Sequence, residues 1–296
     1  MRISDQMATN NAIQYMNANK ERLTALQNLV ASGKQFQSAS DNPARAAASL
    51  TLRSSLQTGQ NYLNNAGEIN AWMETTDLAI SQITDLITKA TTAVTKGLTD
   101  TIGADERRTA LAPEVDMLLE NAISIANTSH MGKYIFSGFQ INMKPYEISS
   151  VDPNTIDYHG DAGIMQHDLG PGQTISTNVN ASSTLSVLFN ALVKARNALL
   201  NNDRSELDSS LTELKESTDL VTEIRATNGA RMRQVDAAID HLGKTNLTLK
   251  SLLSEREDVN MAEAIAMMQG QETTYQAVLE VGQRAISALN LFDVLQ

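Results

Sequence analysis

Cysteine is absent from this chain of 296 residues, which excludes disulfides, thiolate metal sites and cysteine nucleophiles. Aromatic residues make up only 4% of the sequence, so a compact globule would lack many of its usual large core side chains. The longest apolar run, Ala264 to Met268, is far shorter than the roughly 18 residues of a membrane span. The N-terminus has neither an apolar core nor a cleavage pattern, so we predict no secretory signal peptide and no membrane insertion.

Positive charge is also scarce, with 23 Lys and Arg residues against 34 Asp and Glu residues. The resulting formal net charge of -11 argues against phosphate backbones and anionic lipid as the main partners. We therefore predict no nucleic-acid partner.

Apolar residues recur at alternating intervals of three and four along most of the chain, which is the pattern of one helix face. The first such segment predicts a helix that ends near Gly33, and Asn42 with Pro43 predicts the start of the next helix. That second helix is predicted to be about fifty residues long, or roughly 75 Å. In a third predicted helix, Pro113 either kinks the helix or begins it.

The same spacing continues without a break over residues 207–253 and again over residues 264–292. Such persistence predicts a coiled-coil seam. Asn228, Asn246 and Gln271 occupy polar positions in this pattern, where they either fix the register from a buried position or face solvent.

The segment 139–182 has a different character. It is rich in glycine and proline, and no Lys or Arg occurs between Pro145 and Val193. Short β-like runs, separated by glycine-rich turns, extend over Thr155–Tyr158, Ile164–Leu169 and Thr174–Val179. We predict a small, acidic, exposed β-rich insert.

Together these elements predict a mainly α fold, in which the N- and C-terminal segments form a long antiparallel helical bundle or coiled coil around a small β-rich central insert. We predict a terminal coiled-coil assembly domain from residues 1–40 and 255–296. The predicted helical core domain comprises residues 41–138 and 183–254, and the insert comprises residues 139–182.

Three short motifs stand out from this repetitive pattern. The motifs are Ser32-Gly33-Lys34 with Ser40-Asp41-Asn42-Pro43, then Asn127 followed by Gly132, Tyr134, Phe136 and Gly138, and finally the segment that begins with Glu257-Asp258. They resemble the FlgL-type family of hook-filament junction proteins, the hook-associated proteins 3. The resemblance covers about residues 1–140 and 205–296.

The resemblance implies a structural, extracellular protein of the bacterial flagellum. Members of this family form a ring between the hook-side junction protein and the flagellin filament. They leave the cell by flagellar type III export, after a cytoplasmic chaperone has held the C-terminal segment. The resemblance implies no enzyme activity, no cofactor and no metal.

For the mechanism we predict assembly through apolar residues of the two terminal helices, which would pair within one chain and then meet neighbouring copies. The predicted interface residues are Ile3, Met7, Met16, Leu23, Leu26, Ile265, Met268, Val278, Leu279, Ile286, Leu289 and Phe292.

Three alternatives stand beside this interpretation. Flagellin shares terminal helical seams with an exposed middle, and an unrelated coiled-coil scaffold would show the same periodicity. An enzyme is the third, because His159 and His167 lie near Asp157, Asp161 and Asp168 in the sequence. Since the spacing of a helical metal motif is lacking, we interpret these residues as solvated loop positions.

Overall fold

The computed structural model describes the backbone of residues 2–100 and 102–294 and the side chains of residues 7, 10–100 and 102–284. The helices are α1 (Arg2–Ser32), α2 (Pro43–Leu98), α3 (Ala104–Glu106), α4 (Ala112–Ala126), α5 (Ser182–Asn201), α6 (Arg204–Glu257) and α7 (Met261–Val294). The strands are β1 (Ser129–His130), β2 (Lys133–Tyr134), β3 (Tyr146–Ile148), β4 (Ile156–Tyr158), β5 (Gln166–Gly170) and β6 (Gln173–Ser176). The predicted mainly α fold with a central β-rich insert is confirmed. None of the helices in the described part of the chain has both the length and the apolarity that crossing a bilayer requires.

The chain divides into two compact units. Unit 1 comprises Met1–Thr58 and Thr245–Gln296, and unit 2 comprises Gly59–Lys244. Unit 1 therefore combines both terminal parts of the sequence, and α2 and α6 each contribute residues to both units. The finer three-domain division stays a prediction.

Unit 1 contains an antiparallel pair formed by α1 and α7. Near the start of α7, Lys34 pairs with Asp258, and further along Gln271 Nε2 donates to Asn19 Oδ1 at 2.9 Å. Residues further from the C-terminal end of α1 thus contact residues further along α7. The two helices are therefore antiparallel, as predicted.

The boundary between α1 and α2 follows the sequence signals. Gly33 adopts a left-handed φ of 66°, which a glycine tolerates at a helix C-terminus, and its N–H donates to Leu29 O at 3.0 Å. Asn42 Oδ1 accepts the N–H of Arg45 at 3.1 Å, and Pro43 is the first residue of α2. Both predicted boundaries are confirmed.

Unit 2 holds a continuous apolar core between α2, α4, α5 and α6. Helix α5 is apolar on most of its circumference, and its core residues Leu185, Leu188, Phe189, Leu192 and Leu199 are almost fully buried. Between α6 and α2, the buried Asn228 donates from Nδ2 to Met73 O at 3.1 Å. The seam of α6 therefore carries a buried polar residue.

Pro113 is accommodated inside a helical segment that begins before it. The helical backbone continues from α3 through a π-helical turn (Arg107–Leu111) into α4, of which Pro113 is the second residue. A proline cannot donate to the residue four positions earlier, and the wider turn lies at that point of the backbone. The buried Arg107 side chain holds the region together by donating to Gly97 O and Asn202 Oδ1, each at 2.7 Å.

The insert consists of short antiparallel hairpins. Strand β3 pairs with β4, with Tyr146 opposite Tyr158, and β5 pairs with β6. The three predicted β-like runs correspond to β4, β5 and β6, with boundaries shifted by at most three residues. Strands β1, β2 and β3 were not predicted, because two or three residues cannot show a period of two.

Candidate assembly interface

The seam, which is the line of contact between α1 and α7, buries few side chains. Among the described side chains of these two helices, only Ala264 and Gly282 are buried. A methyl group on Gly282 would lie 2.9 Å from Met16 Sδ, so the glycine permits a close approach of the two helices. The larger apolar residues of the seam keep part of their surface in water.

The predicted interface residues lie on these helices with different exposures. Met7 and Ile265 are exposed. The half-buried predicted residues are Met16, Leu23, Leu26, Met268, Val278 and Leu279. The side chains of Ile3, Ile286, Leu289 and Phe292 lie outside the described residues. The role of all the predicted interface residues in assembly stays a prediction.

A groove of about 520 Å³ runs between α1 and α7 on one side of the seam. Its lining residues are Asn11, Ala12, Tyr15, Asn19, Thr274, Ala277, Val278, Val281 and Gly282. The exposed Tyr15 and Val281 were not among the predicted residues, because they lie off the main stripe. A second stripe of spacing three and four, Met267-Gly270-Thr274-Ala277-Val281, is the signal that could have identified this face.

A group of charged residues, which we call the Glu257 cluster (Lys34, Arg53, Glu257 and Asp258), joins the end of α1 to the end of α6. Glu257 accepts from Arg53 Nε at 3.0 Å, from Arg53 Nη2 at 2.7 Å and from Lys34 Nζ at 3.3 Å. Lys34 Nζ also lies 2.6 Å from Asp258 Oδ1. The Glu257 side chain is only 4% exposed, so its charge is held by its partners rather than by water.

Hydrogen bonding by Arg53, with a further contribution from Lys34, lowers the pKa of the Glu257 carboxyl. The backbones pair as well, since Gln35 N donates to Glu257 O at 2.7 Å and Val259 N donates to Gly33 O at 3.0 Å. The first and third predicted motifs therefore meet in space. Arg53 was not predicted, because no short-range pattern distinguishes it from other cations on α2.

The second motif connects α4 to the insert. Asn127 Nδ2 donates to Tyr146 O at 2.8 Å, and Asn127 Oδ1 accepts from Tyr146 N at 2.9 Å. Tyr134 pairs with Ser129 across the β1–β2 ladder, and Phe136 is fully buried in the unit 2 core. These side chains fix the start of the insert against the helical core.

The glycines of this motif allow two tight backbone geometries. Met131 and Gly132 have φ values of 49° and 79° and form the β1–β2 turn. Gly138 has a φ of 69°, and a methyl group there would lie 2.3 Å from Asp161 O. Asp161 Oδ1 accepts from the N–H groups of Phe139 and Gly163, each at 2.8 Å. The Asp161 carboxylate therefore stabilises the backbone of this loop by hydrogen bonding.

The two histidines considered for a metal site lie in different surroundings. His159 is exposed, and His167 Nδ1 lies 3.1 Å from the Thr177 hydroxyl. Among residues 7, 10–100 and 102–284, whose side chains the structure describes, no three His, Asp or Glu side chains are arranged to hold a metal ion.

Residues 3–140 match the family described as the bacterial flagellin N-terminal helical region. This match extends from α1 through the Gly138 motif.

Solved structures of flagellar proteins share the fold. A putative flagellar hook-associated protein from Vibrio parahaemolyticus has a TM-score of 0.68 at 17% identity, over 74% of this chain and 100% of its own. FlgL from Bacillus cereus has a TM-score of 0.61 at 21% identity, over 69% of this chain and 99% of its own. The flagellar junction protein FlgL from Legionella pneumophila has a TM-score of 0.55 at 11% identity, over 73% of this chain and 100% of its own.

Proposed function

We propose that this chain, which carries a flagellin-type N-terminal helical region and has the fold of FlgL-type hook-associated proteins, is a structural junction protein of the bacterial flagellum. In this role it joins a hook-side junction protein to the flagellin filament. Copies of the chain form a ring in the axial structure through α1 and α7. The role is one of assembly and has no catalytic step.

The open seam of the α1–α7 pair carries this proposal. Two helices that touch along one line leave most of their circumference in water, and here Met7, Tyr15 and Val281 are among the large apolar side chains left exposed. Exposed apolar surface of this kind marks a protein interaction site. Neighbouring copies and flanking axial proteins would cover it and complete its burial.

The proposed role also requires flagellar export to the cell exterior, and the same surface supports a cytoplasmic chaperone on the C-terminal segment. Met261, Ile265 and Met267 are exposed along the first turns of α7. Before assembly this surface would favour aggregation, and a chaperone that covers α7 would prevent it.

Electron microscopy of a strain that lacks the chain tests the junction role. We expect complete hooks without filaments, together with flagellin released into the medium. Absence of the filament protein itself would instead identify the chain as flagellin, and normal filaments would identify an unrelated scaffold.

The substitution Leu279→Asp tests the interface. Leu279 is half-buried at the seam, so a carboxylate there would be transferred out of water on assembly without a partner. We expect incorporation to fall on the order of tenfold or more. Gln283→Asp adds the same charge at an exposed position of α7 and should incorporate normally. Normal filament growth with Leu279→Asp would contradict the assignment.

A further inference from the structure

Helix α7 carries two apolar stripes, and only one of them packs against α1. The main stripe, which lies in the seam, consists of Ala264, Met268, Gln271, Tyr275, Val278 and Gly282. The second stripe described above begins at Met267 and ends at Val281, which are 52% and 68% exposed. The two stripes are offset by one residue along the chain, so a rotation of α7 by about 100° about its own axis would bring the second stripe against α1.

Apolar packing alone does not decide between these stripes. Each of them contains a methionine, a valine and a glycine. In the second stripe, a methyl group on Gly270 would meet no other atom within 4 Å, so this side of α7 has room for a closely packed helix. Because the burial of apolar surface has no direction, two stripes of such similar composition would gain similar free energy against α1.

A hydrogen-bonded pair distinguishes the main stripe from the second one. Among the side chains that the structure describes, Asn19 and Gln271 make the only hydrogen bonds between α1 and α7. Gln271 Nε2 donates to Asn19 Oδ1 at 2.9 Å, and Asn19 Nδ2 donates to Tyr15 O on its own helix at 2.8 Å. Both amide side chains are half-buried, so water would replace their bond only in part.

The second stripe offers Asn19 no equivalent partner. Its one polar member is Thr274, whose hydroxyl already donates to Gly270 O at 2.9 Å. With the second stripe against α1, Gln271 would turn away and Asn19 Oδ1 would lose its donor at a half-buried position. This loss opposes the rotation, because a polar group that loses its partner on packing costs free energy. A single polar residue fixes the alignment of coiled coils in the same way.

We propose that the hydrogen bond between Asn19 and Gln271 selects the main stripe of α7 for packing against α1. Both are positioning residues, which act through the orientation of α7. Their bond thereby leaves exposed the second stripe, which neighbouring copies cover on assembly. This last step rests on the proposed function, whereas the choice of stripe within one chain does not.

Disulfide trapping measures which stripe faces α1, because the chain contains no thiol of its own. Met16→Cys is combined with Gly282→Cys to report the main stripe, or with Val281→Cys to report the second stripe. Met16 Cγ lies 3.9 Å from the place of a methyl carbon on Gly282, so two cysteines there lie within reach of a disulfide. Each full-length chain is oxidised at high dilution, with and without Asn19→Leu and Gln271→Leu, and the initial rates of intrachain cross-linking are compared.

We expect Asn19→Leu with Gln271→Leu to raise the ratio of the Val281→Cys rate to the Gly282→Cys rate about tenfold, because the bond is lost while apolar surface is gained. Thr24→Leu with Thr273→Leu is the matched control and should leave the ratio unchanged. It adds two leucines to the same helices at exposed positions, where each hydroxyl bonds only within its own helix. An unchanged ratio with Asn19→Leu and Gln271→Leu, or a wild-type ratio that already favours Val281→Cys, would overturn the proposal.

Incorporation into flagellar axial structures separates this proposal from the proposed function. The chain with Asn19→Leu and Gln271→Leu should incorporate several-fold less than the chain with Thr24→Leu and Thr273→Leu, because α1 then covers part of the second stripe. A raised ratio with normal incorporation would overturn the role of the second stripe in assembly. Absence of the wild-type chain from axial structures would overturn the proposed function and leave the choice of stripe standing.

Discussion

The Glu257 cluster gives a sharp test of what holds the two ends of the chain together. Glu257→Gln keeps the size of the side chain and one oxygen acceptor but removes its charge. The substitution weakens the hydrogen bonds from Arg53 and Lys34, and it turns an NH2 group toward two cations. The neighbouring backbone pairs at Gln35 and Val259 should then open more often.

The size of the effect follows from the burial of the partners. Hydrogen bonds to a charged group contribute about 1.5–3 kcal/mol each when buried. Here the carboxylate is buried, but the Arg53 and Lys34 side chains are 58% and 45% exposed, so water screens much of the interaction. Because glutamine also retains one acceptor, we expect a loss of about 2 kcal/mol, or roughly a 30-fold change in the opening equilibrium.

Amide hydrogen exchange at Gln35 and Val259 measures this opening directly. We expect both amides to exchange about 30-fold faster in Glu257→Gln than in the wild-type chain. Asp258→Asn is the matched control, because it removes a neighbouring carboxylate that is 44% exposed, and its effect should be clearly smaller. Exchange rates within threefold of the wild-type values would refute the reasoning.

The difference in amide exchange rate between the wild-type chain and Glu257→Gln should depend on pH. The folded state lowers the pKa of Glu257 below the value of about 4.3 that it has in an unfolded chain. Its contribution is therefore complete above that unfolded value and is lost as the pH falls through the lowered folded pKa. We expect the wild-type chain and Glu257→Gln to converge in acid, and a constant difference at all pH values would contradict this assignment.

Five further substitutions, at four positions of unit 2, can be checked by urea unfolding followed through the single tryptophan. Gly138→Ala should lower the free energy of unfolding by about 3 kcal/mol or more, because it meets Asp161, whereas Gly172→Ala, with a similar φ and open space, should lose only about 1–2 kcal/mol. Asn228→Leu should stay within about 1 kcal/mol of the wild-type chain, because it removes an unpaired buried Oδ1, and Asn228→Asp should lose about 3 kcal/mol or more. Asn127→Ala removes two hydrogen bonds to one backbone and should lose about 2–3 kcal/mol. Equal losses for the two glycines, or for the two Asn228 variants, would contradict these assignments.

The helices were predictable because their signals are local. Repeats of three and four, the glycine that ends α1 and the Asn42 cap all act over a few residues, and the structure places them as expected. Pro113 left two outcomes open, because a proline is compatible with a kink or with a first turn. The π-helical turn that accommodates Pro113 begins at Arg107, whose hydrogen-bond partners Gly97 and Asn202 belong to other elements.

The candidate interface was only partly predictable. Its main stripe follows from periodicity, but the face that carries Tyr15 and Val281 depends on how closely α1 and α7 approach at Gly282. Arg53 could not be assigned to Glu257, because the two residues are 204 positions apart. The three motifs indicated the segments that form specific contacts, and the structure shows which residues each motif contacts.

Unit 1 is built from the beginning and the end of the chain, and this has a consequence for the order of folding. Lys34 and Glu257 are separated by 223 positions, so bringing them together from an unfolded chain costs about 5 kcal/mol in loop entropy. Unit 2 is continuous in sequence and already aligns α2 with α6 through Asn228 and Met73. If unit 2 forms first, less chain entropy has to be lost when Lys34 and Glu257 meet. The middle of the chain should therefore fold first, and the two ends should join last.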